Sequence, residues 1–306
     1  MKNDISIIIP IYNEENSLNN LLVAISNQSL LPSELIFVDS GSQDKSIEII
    51  EDFIASNKSD FNISIIINPL GFPGSNRNYG IKHAKNNWIV FLDAGVEPEP
   101  NWLLELVNFK DSKNLNAVFG VCKFDGNTPL QKSFCAISHG CGSIKHCLPS
   151  SLFHISIFND IGLFEENLRA SEDLVWMNKF KKIYNKLPIC RTALVNYKDY
   201  PSNLKDFINK YYTYEKHSIK SNIVSRAQIN LNLFLAIIIL VSLFLIPFYA
   251  TLFIILQFIL RAIITPITRS LNYEWWLNTP ISIILAIPAL ISRDLAKFFA
   301  RLSSLN

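Results

Sequence analysis

The chain has 306 residues, 49% of them hydrophobic, with 28 Lys and Arg against 26 Asp and Glu. A formal charge of only +2 gives no global electrostatic case for nucleic acid, and the length allows one large domain or two smaller ones. The mean hydropathy of +0.21 is high for a purely soluble enzyme, and the apolar excess concentrates after about residue 230.

Taken in chain order, the front half alternates between two periods. ISIIIP (5–10) is a compact β-branched run ending at a proline, as a buried parallel strand does. It lacks the length of a signal-peptide core, so the front of the chain is expected to stay on the side where it is made. Leu18, Leu21, Leu22 and Ile25 then fall at helical spacing, with Asn13 or Asn16 as candidate cap. LIFVDS (35–40) reads as a second strand, followed by a helix opened by Ser42 to Lys45 with Ile47, Ile50 and Ile54 on one face. ISIIIN (63–68) is a third strand, GFPGSNRNYGIKHAK leads into a helix, and WIVFLDAG contains a fourth strand. Four apolar strands alternating with three amphipathic helices predict an α/β, doubly wound parallel sheet.

Ligands in such sheets bind beyond the carboxyl ends of the strands. Those ends carry Pro10-Ile11-Tyr12-Asn13-Glu14, Asp39-Ser40-Gly41-Ser42 and Asp93-Ala94-Gly95. Acidic or polar groups straight after three buried strands point to one shared site. No GxGxxG follows the first strand and no Walker A lysine loop is present, which disfavours dinucleotide and P-loop sites.

The middle of the chain is less regular. VFGVCKF (118–124) is strand-like, and 125–155 reads as loop around short elements. Cys135, His139, Cys141, His146 and Cys147 cluster, but without the tight cysteine pair of a zinc site; the plainer reading is reduced thiols. The segment 161–183 ends in a helix with Leu174, Met177 and Phe180 on its apolar face. Glu172 and Asp173 sit in its first turn, where the helix dipole favours negative charge, so a purely helix-starting role stays open beside a chemical one.

No charged residue lies between Arg226 and Arg261. The run 231–260 is long enough to cross a bilayer once, kinked at Pro247, or to form a hairpin of two short spans. A second run, 275–292, begins at Trp275 and Trp276, placed like an interfacial belt, and carries Pro280 and Pro288, which suits a re-entrant or interfacial segment. Lys205, Lys210, Lys216, Lys220 and Arg226 precede the first run, and positive-inside counting puts the N-terminal domain in the cytoplasm. The predicted division is 1–200 as a catalytic-type domain, 201–229 as a basic aromatic juxtamembrane segment suited to lipid headgroups or an acceptor phosphate, and 230–306 as a membrane region.

Four motifs, SIIIPIYNEENSLNNLLVAISNQS, LIFVDSGSQDKSIEII, SNRNYGIKHAKNNWIVFLDAG and IGLFEENLRASEDLVWMNK, occur in the order found in family 2 glycosyltransferases, which residues 4–183 resemble. The resemblance implies the GT-A fold, inversion of the transferred sugar, and a nucleotide-sugar donor. It places Pro10, Tyr12, Asn13 and Glu14 in the nucleotide pocket, Asp39 (with Ser40) at the base of the nucleotide, Arg77 and Asn78 near the donor, Asp93 at the first position of a DxD motif, and Asp173 of the Glu172-Asp173 pair as general base. It also implies Mg²⁺ or Mn²⁺, a lipid-linked or membrane-proximal glycan acceptor, and an integral membrane setting with the catalytic domain cytoplasmic, as at a bacterial inner membrane; nucleic acid is not an expected partner.

The sequence departs from the family at one point: Gly95 stands where DxD has its second acid. Three readings stay open. Glu97 supplies the carboxylate; Asp93 holds the metal with phosphate oxygens and water alone; or Arg77, Lys123 or another cation neutralises the diphosphate. The Gln-x-x-Arg-Trp motif of processive synthases is absent, which favours transfer of single sugars. Two further functional readings stand beside the main one: a non-catalytic domain that binds a nucleotide-sugar or a partner glycosyltransferase, and a polyprenyl-phosphate glycosyltransferase.

Overall fold

The computed structural model describes residues 4–56, 60–69, 71–270 and 278–304. They fall into two compact units, 1–123 with 144–199, and 124–143 with 200–306.

The first unit is built on a sheet of order β3-β2-β1-β4-β8-β6-β9-β5, with β7 paired to β6. Its parallel half is β1 (Ile5–Ile11), β2 (Glu34–Asp39), β3 (Asn62–Ile67) and β4 (Trp88–Phe91). The helices α1 (Leu18–Ser26), α2 (Ser46–Ala55) and α3 (Pro73–His83) are the crossovers. Central β1 and β2 are buried on both faces, as their unbroken β-branched runs require. β3 is the edge of the sheet and is half exposed despite an equally apolar sequence, with Ile67 open to solvent.

The second half of the sheet is antiparallel and was not legible as strands, apart from β6 (Ala117–Phe124). It comprises β5 (Val96–Pro98), β7 (Ile144–His146), β8 (Ser151–His154) and β9 (Ile189–Tyr197), with β8 antiparallel to β4 and β9 antiparallel to β5. The helices here are α4 (Trp102–Lys113), α6 (Ile157–Ile161) and α7 (Glu172–Tyr184). Phe91, Phe119, Phe153, Phe158, Phe164, Trp176 and Phe180 form an aromatic core of mostly edge-on pairs.

Two expectations are corrected by packing. Neither Asn13 nor Asn16 caps α1: Ser17 stands at the N-cap, and its hydroxyl donates to Glu14 Oε2 at 2.7 Å. The inward face of α7 is Trp176, Met177 and Phe180, while Leu174 is exposed. A third difference is α3, whose buried face is largely polar, with Ser75, Asn76, Arg77 and Asn78 all inside. It lies so close to β1 that a Cβ on Gly80 would come within 2.3 Å of Ile8 Cγ2, so only glycine fits there.

The second unit is helical. It contains α5 (Pro129–Ser138), α8 (Leu204–Lys220), α9 (Arg226–Leu245), α10 (Pro247–Ile259), a π-turn at Leu260–Ile264, α11 (Thr265–Arg269) and α12 (Ile281–Ser303). A capping box at Thr128 and Gln131 starts α5 in what sequence pattern suggested was loop. The run 231–260 divides at Ile246 and Pro247 into α9 and α10. The apolar helix Pro247–Arg269 is long and apolar enough to cross a membrane, the one such helix among the described residues. Residues 281–292 are not a short interrupted segment. They open a 23-residue helix that continues through Pro288 and packs its small residues, Ser282, Ala286, Ala289, Ala296 and Ala300, inward against α5 and α8. Trp275 and Trp276 lie outside the described residues.

Candidate active site

The site forms where the parallel strands end. The registers Ile11↔Asp39 and Ile8↔Phe91 bring the chain after β1, β2 and β4 to one edge, and the β1–β4 register, extended two residues, sets Asp93 beside Pro10. Pro10 is partly buried and Tyr12 is exposed, with the Arg169 guanidinium 5.6 Å from the centre of its ring.

The turns after β1 and β2 are laced together. Asn13 takes a left-handed φ of 58°, a conformation asparagine tolerates, and its Oδ1 accepts from Gln43 N at 2.8 Å while its own N donates to Ser42 Oγ at 2.9 Å. Glu14 N donates to Ser46 Oγ at 2.7 Å, Glu15 N to Asp44 Oδ2 at 3.0 Å, and Lys45 N returns to Glu15 Oε2 at 3.2 Å. Asp39, buried at the end of β2, accepts from Gly41 N at 2.9 Å and from the Ser42 hydroxyl at 2.6 Å, which closes its turn. Ser40 Oγ donates to Gly71 O and accepts from Asn76 Nδ2, both at 2.7 Å, tying the β2 turn to α3. Backbone donors that would otherwise face solvent are thus satisfied by neighbouring side chains, and the two turns are held as one rigid rim.

Arg77 is the centre of the charged network. Its side chain is only 3% exposed; Nη1 donates to Glu172 Oε1 at 2.5 Å and Nη2 to Asp93 Oδ1 at 2.8 Å. Burial opposes its charge, but Asp93, Glu172 and Asp173 outweigh that and hold it protonated. One buried guanidinium therefore joins Asp93, just past the end of β4, to Glu172 at the start of α7. Asn78 is fully engaged: Nδ2 donates to Phe164 O and Glu166 Oε1, both at 3.0 Å, and Oδ1 accepts from Phe164 N at 2.9 Å. Its side chain holds the segment before α7 against α3.

Asp173 differs from its neighbour. Glu172 is buried in the ion pair, whereas Asp173 is half-buried and its carboxylate accepts only from Leu174 N at 2.8 Å among the described residues. Burial and the charge of Glu172 push Asp173 up from 3.8 to about 6, with Arg77 and the Leu174 amide pulling the other way. Glu14 is pushed up from 4.5 to about 7, mainly by burial, with Asp199, Asp93 and Asp44 adding repulsion against the Ser17 hydrogen bond.

Glu97 points to Asn20 Nδ2 at 3.3 Å and Lys198 Nζ at 3.8 Å. Arg77 already serves two carboxylates. Among the described residues no three His, Cys, Asp or Glu side chains converge as an all-protein metal site, the cysteine cluster included. That cluster separates into thiol pairs, Cys141 with Cys135 and Cys147 with Cys122. The residues do fit a divalent ion of the type shared with a diphosphate. Such ions take one or two carboxylates and complete their shell with phosphate oxygens and water. One observation marks the place: a Cβ on Gly95 would lie 3.0 Å from Asp199 Oδ2, so a second carboxylate stands beside the Asp93 turn.

Residues 6–139 match the family described as glycosyl transferase family 2. The match covers 134 of the 306 residues, and over that stretch the chain is similar to the family. It is 36% identical over 127 residues to an uncharacterized glycosyltransferase of Haemophilus influenzae, covering 40% of this chain and 50% of that protein. It is 29% identical over 188 residues to a poly(ribitol-phosphate) beta-glucosyltransferase of Bacillus spizizenii, covering 58% of this chain and 30% of that one. The chain thus spans half or less of the length of these two relatives. Among solved structures, the mannosyltransferase PcManGT from Pyrobaculum calidifontis, in complex with GDP-Man and Mn²⁺, superposes with a TM-score of 0.60 at 15% identity, over 94% of this chain and 86% of that one. S. aureus TarS 1–349 with UDP-GlcNAc gives 0.50 at 21% identity, over 69% and 65%. These structures share the α/β, Rossmann-like GT-A fold.

Sequence reading singled out the strand-end residues and the Glu172-Asp173 pair, and the network of Arg77 joins Asp93 to Glu172. It missed Asp44, Ser46, Arg169 and Asp199. Asp44 and Ser46 sit in the SGSQDKS turn, whose density of small polar residues is a visible signal. Arg169 and Asp199 reach the site through tertiary structure.

Proposed function

We propose that the protein is an inverting glycosyltransferase that moves one sugar from a nucleotide-sugar donor to a lipid-linked or envelope-polymer acceptor at a membrane surface. The observation that carries this reading is the Asp93–Arg77–Glu172 bridge. It ties Asp93 at the end of β4 to Glu172 at the start of α7 through one buried cation and leaves the neighbouring Asp173 outside the bridge. The relative named a poly(ribitol-phosphate) beta-glucosyltransferase and the GT-A likeness support it.

In this reading Tyr12, Asn13, Glu14, Asp39 and Ser40 line the nucleotide pocket on the rigid rim of the two laced turns. A pre-formed rim lowers the ordering cost of binding. Asp93 is the residue that would hold Mg²⁺ or Mn²⁺; such an ion, when bound, neutralises the charge of a departing diphosphate. Asp173 accepts the proton of the acceptor hydroxyl as it attacks the anomeric carbon, and a single displacement inverts that carbon. A pKa of about 6 leaves it ionised at neutral pH yet more basic than an ordinary aspartate, which suits a general base. Glu172, ion-paired and buried, orients the start of α7 rather than exchanging protons.

The exposed apolar residues of α9 and α10, among them Phe244, Leu245, Phe248 and Tyr249, support a membrane setting, with the basic aromatic α8 at its border. Within that unit α8 is fastened to α12 by buried Glu215, which pairs with Arg301 at 2.7 Å and Lys297 at 3.7 Å.

The test is calorimetric binding of UDP, GDP, CDP and dTDP to the full chain in detergent, followed by transfer assays with the matching nucleotide-sugars. Binding of one nucleotide together with product of inverted configuration is expected. Binding without any transfer to lipid-linked acceptors would replace this reading with a non-catalytic one.

A further inference from the structure

We propose that Asp199 supplies the second donor-site carboxylate that the Asp93-Ala94-Gly95 motif lacks, and that Asp93 and Asp199 together hold the divalent ion. This rests on the donor-site reading above. The sequence places no acid at position 95. The structure fills the space that a side chain there would enter: a Cβ built on Gly95 would lie 3.0 Å from Asp199 Oδ2, 3.2 Å from its Cβ and 3.5 Å from its Cγ. A carboxylate on residue 95 and the carboxylate of Asp199 are therefore alternatives for one place, and the glycine is what admits the second.

Sheet pairing brings the two together. β5 runs antiparallel to β9 with Val96 opposite Tyr197, so the residue two beyond Tyr197 comes back alongside the Asp93–Gly95 turn. Tyr197 Oη donates to Asp199 O at 2.6 Å and holds the backbone there. The neighbouring acids have other work. Glu97 receives Asn20, Asp39 closes its own turn, and Asp44 accepts from Ser46, whereas Asp93 engages Arg77 through Oδ1 alone. The Asp199 carboxylate accepts no hydrogen bond and makes no ion pair among the described residues, and it is exposed. Two carboxylates from two strands, completed by diphosphate oxygens and water, are the ligand set a Mg²⁺- or Mn²⁺-nucleotide takes.

The full chain in detergent is titrated with UDP, GDP, CDP and dTDP, each in Mn²⁺ and in EDTA, and free Mn²⁺ is followed by electron paramagnetic resonance during the Mn²⁺ titrations. Wild type is expected to bind one nucleotide more tightly with Mn²⁺. Asp199→Asn should lose that gain by about tenfold or more, since even outer-shell partners of a metal are worth that much. Its affinity in EDTA and its circular dichroism should stay those of wild type. The double variant Gly95→Asp/Asp199→Gly moves the carboxylate back to residue 95 and should recover Mn²⁺ uptake. Undiminished Mn²⁺ uptake by Asp199→Asn overturns the proposal, as does wild-type binding that is equal in Mn²⁺ and EDTA; either leaves the donor-site reading standing. Absence of nucleotide binding in both conditions overturns the donor-site reading and this proposal with it.

Discussion

The strand ends of the first unit and the helices of the second expose their residues under opposite rules. At the strand ends nearly every exposed or half-exposed side chain is polar, and most are fixed by a named partner: Asn13 by Gln43, Glu15 by Lys45, Ser40 by Asn76. Around the break between α9 and α10 the exposed side chains are Phe244, Leu245, Phe248 and Tyr249, each more than two-thirds open. The first pattern suits a small ligand held by directed hydrogen bonds. The second can only favour an apolar phase, because dispersion and burial have no direction. In the proposed function, chemical selectivity and attachment are carried by separate surfaces.

Substitutions at the strand ends should alter chemistry and nucleotide affinity, and substitutions on the helices should alter location only. The largest effect is expected for Asp173→Asn, which should lower transfer about 10²- to 10⁴-fold, the range of general-base catalysis, with nucleotide affinity preserved; turnover near wild type would remove Asp173 from that role. Next, Arg77→Ala leaves Glu172 buried without its cation and should cost about 3–5 kcal/mol of stability, read by denaturant unfolding. An unchanged midpoint would show that the bridge contributes nothing.

The pH profile should follow. Asp173 acts as the carboxylate, and burial beside Glu172 raises it to about 6, so kcat/KM should fall tenfold per unit below about 6 and be flat above it. The same shift makes the ionised form costly in the fold. Its stabilising contribution is full below the ordinary aspartate value and is lost as pH rises through about 6. Asp39→Ala should weaken nucleotide binding several-fold, measured by calorimetry, because its turn loses the carboxylate that Gly41 N and the Ser42 hydroxyl both use. The smallest chemical effect is expected for Phe244→Lys with Phe248→Lys. Co-sedimentation with vesicles should weaken while transfer to a soluble acceptor stays within twofold; a loss of transfer instead would mean that the two surfaces are coupled.

Much of the parallel half was legible because its physics is local. Each of β1, β2 and β4 is a short β-branched run, and the polar residues that follow have nowhere to go but the strand ends. The antiparallel half was not, because β5, β7 and β8 are three or four residues long and gain their pairing from distant partners. α5 was hidden inside a stretch of Gly, Ser, Cys and His, though its capping box was there to be read. Leu174 misled because helical spacing defines a stripe but not which side of it faces the core.

Local pattern was enough for the alternating strands and helices, the acids at the strand ends, the Glu172-Asp173 helix start and the long uncharged run near the C-terminus, since each depends on residues close together in the chain. Only the tertiary structure decided that Arg77 joins Asp93 to Glu172, that α3 turns a polar face inward, and that Asp199 lies over Gly95. Those pairs are separated by 16, 95 and 104 positions or are set by packing, and no local pattern carries information across such gaps.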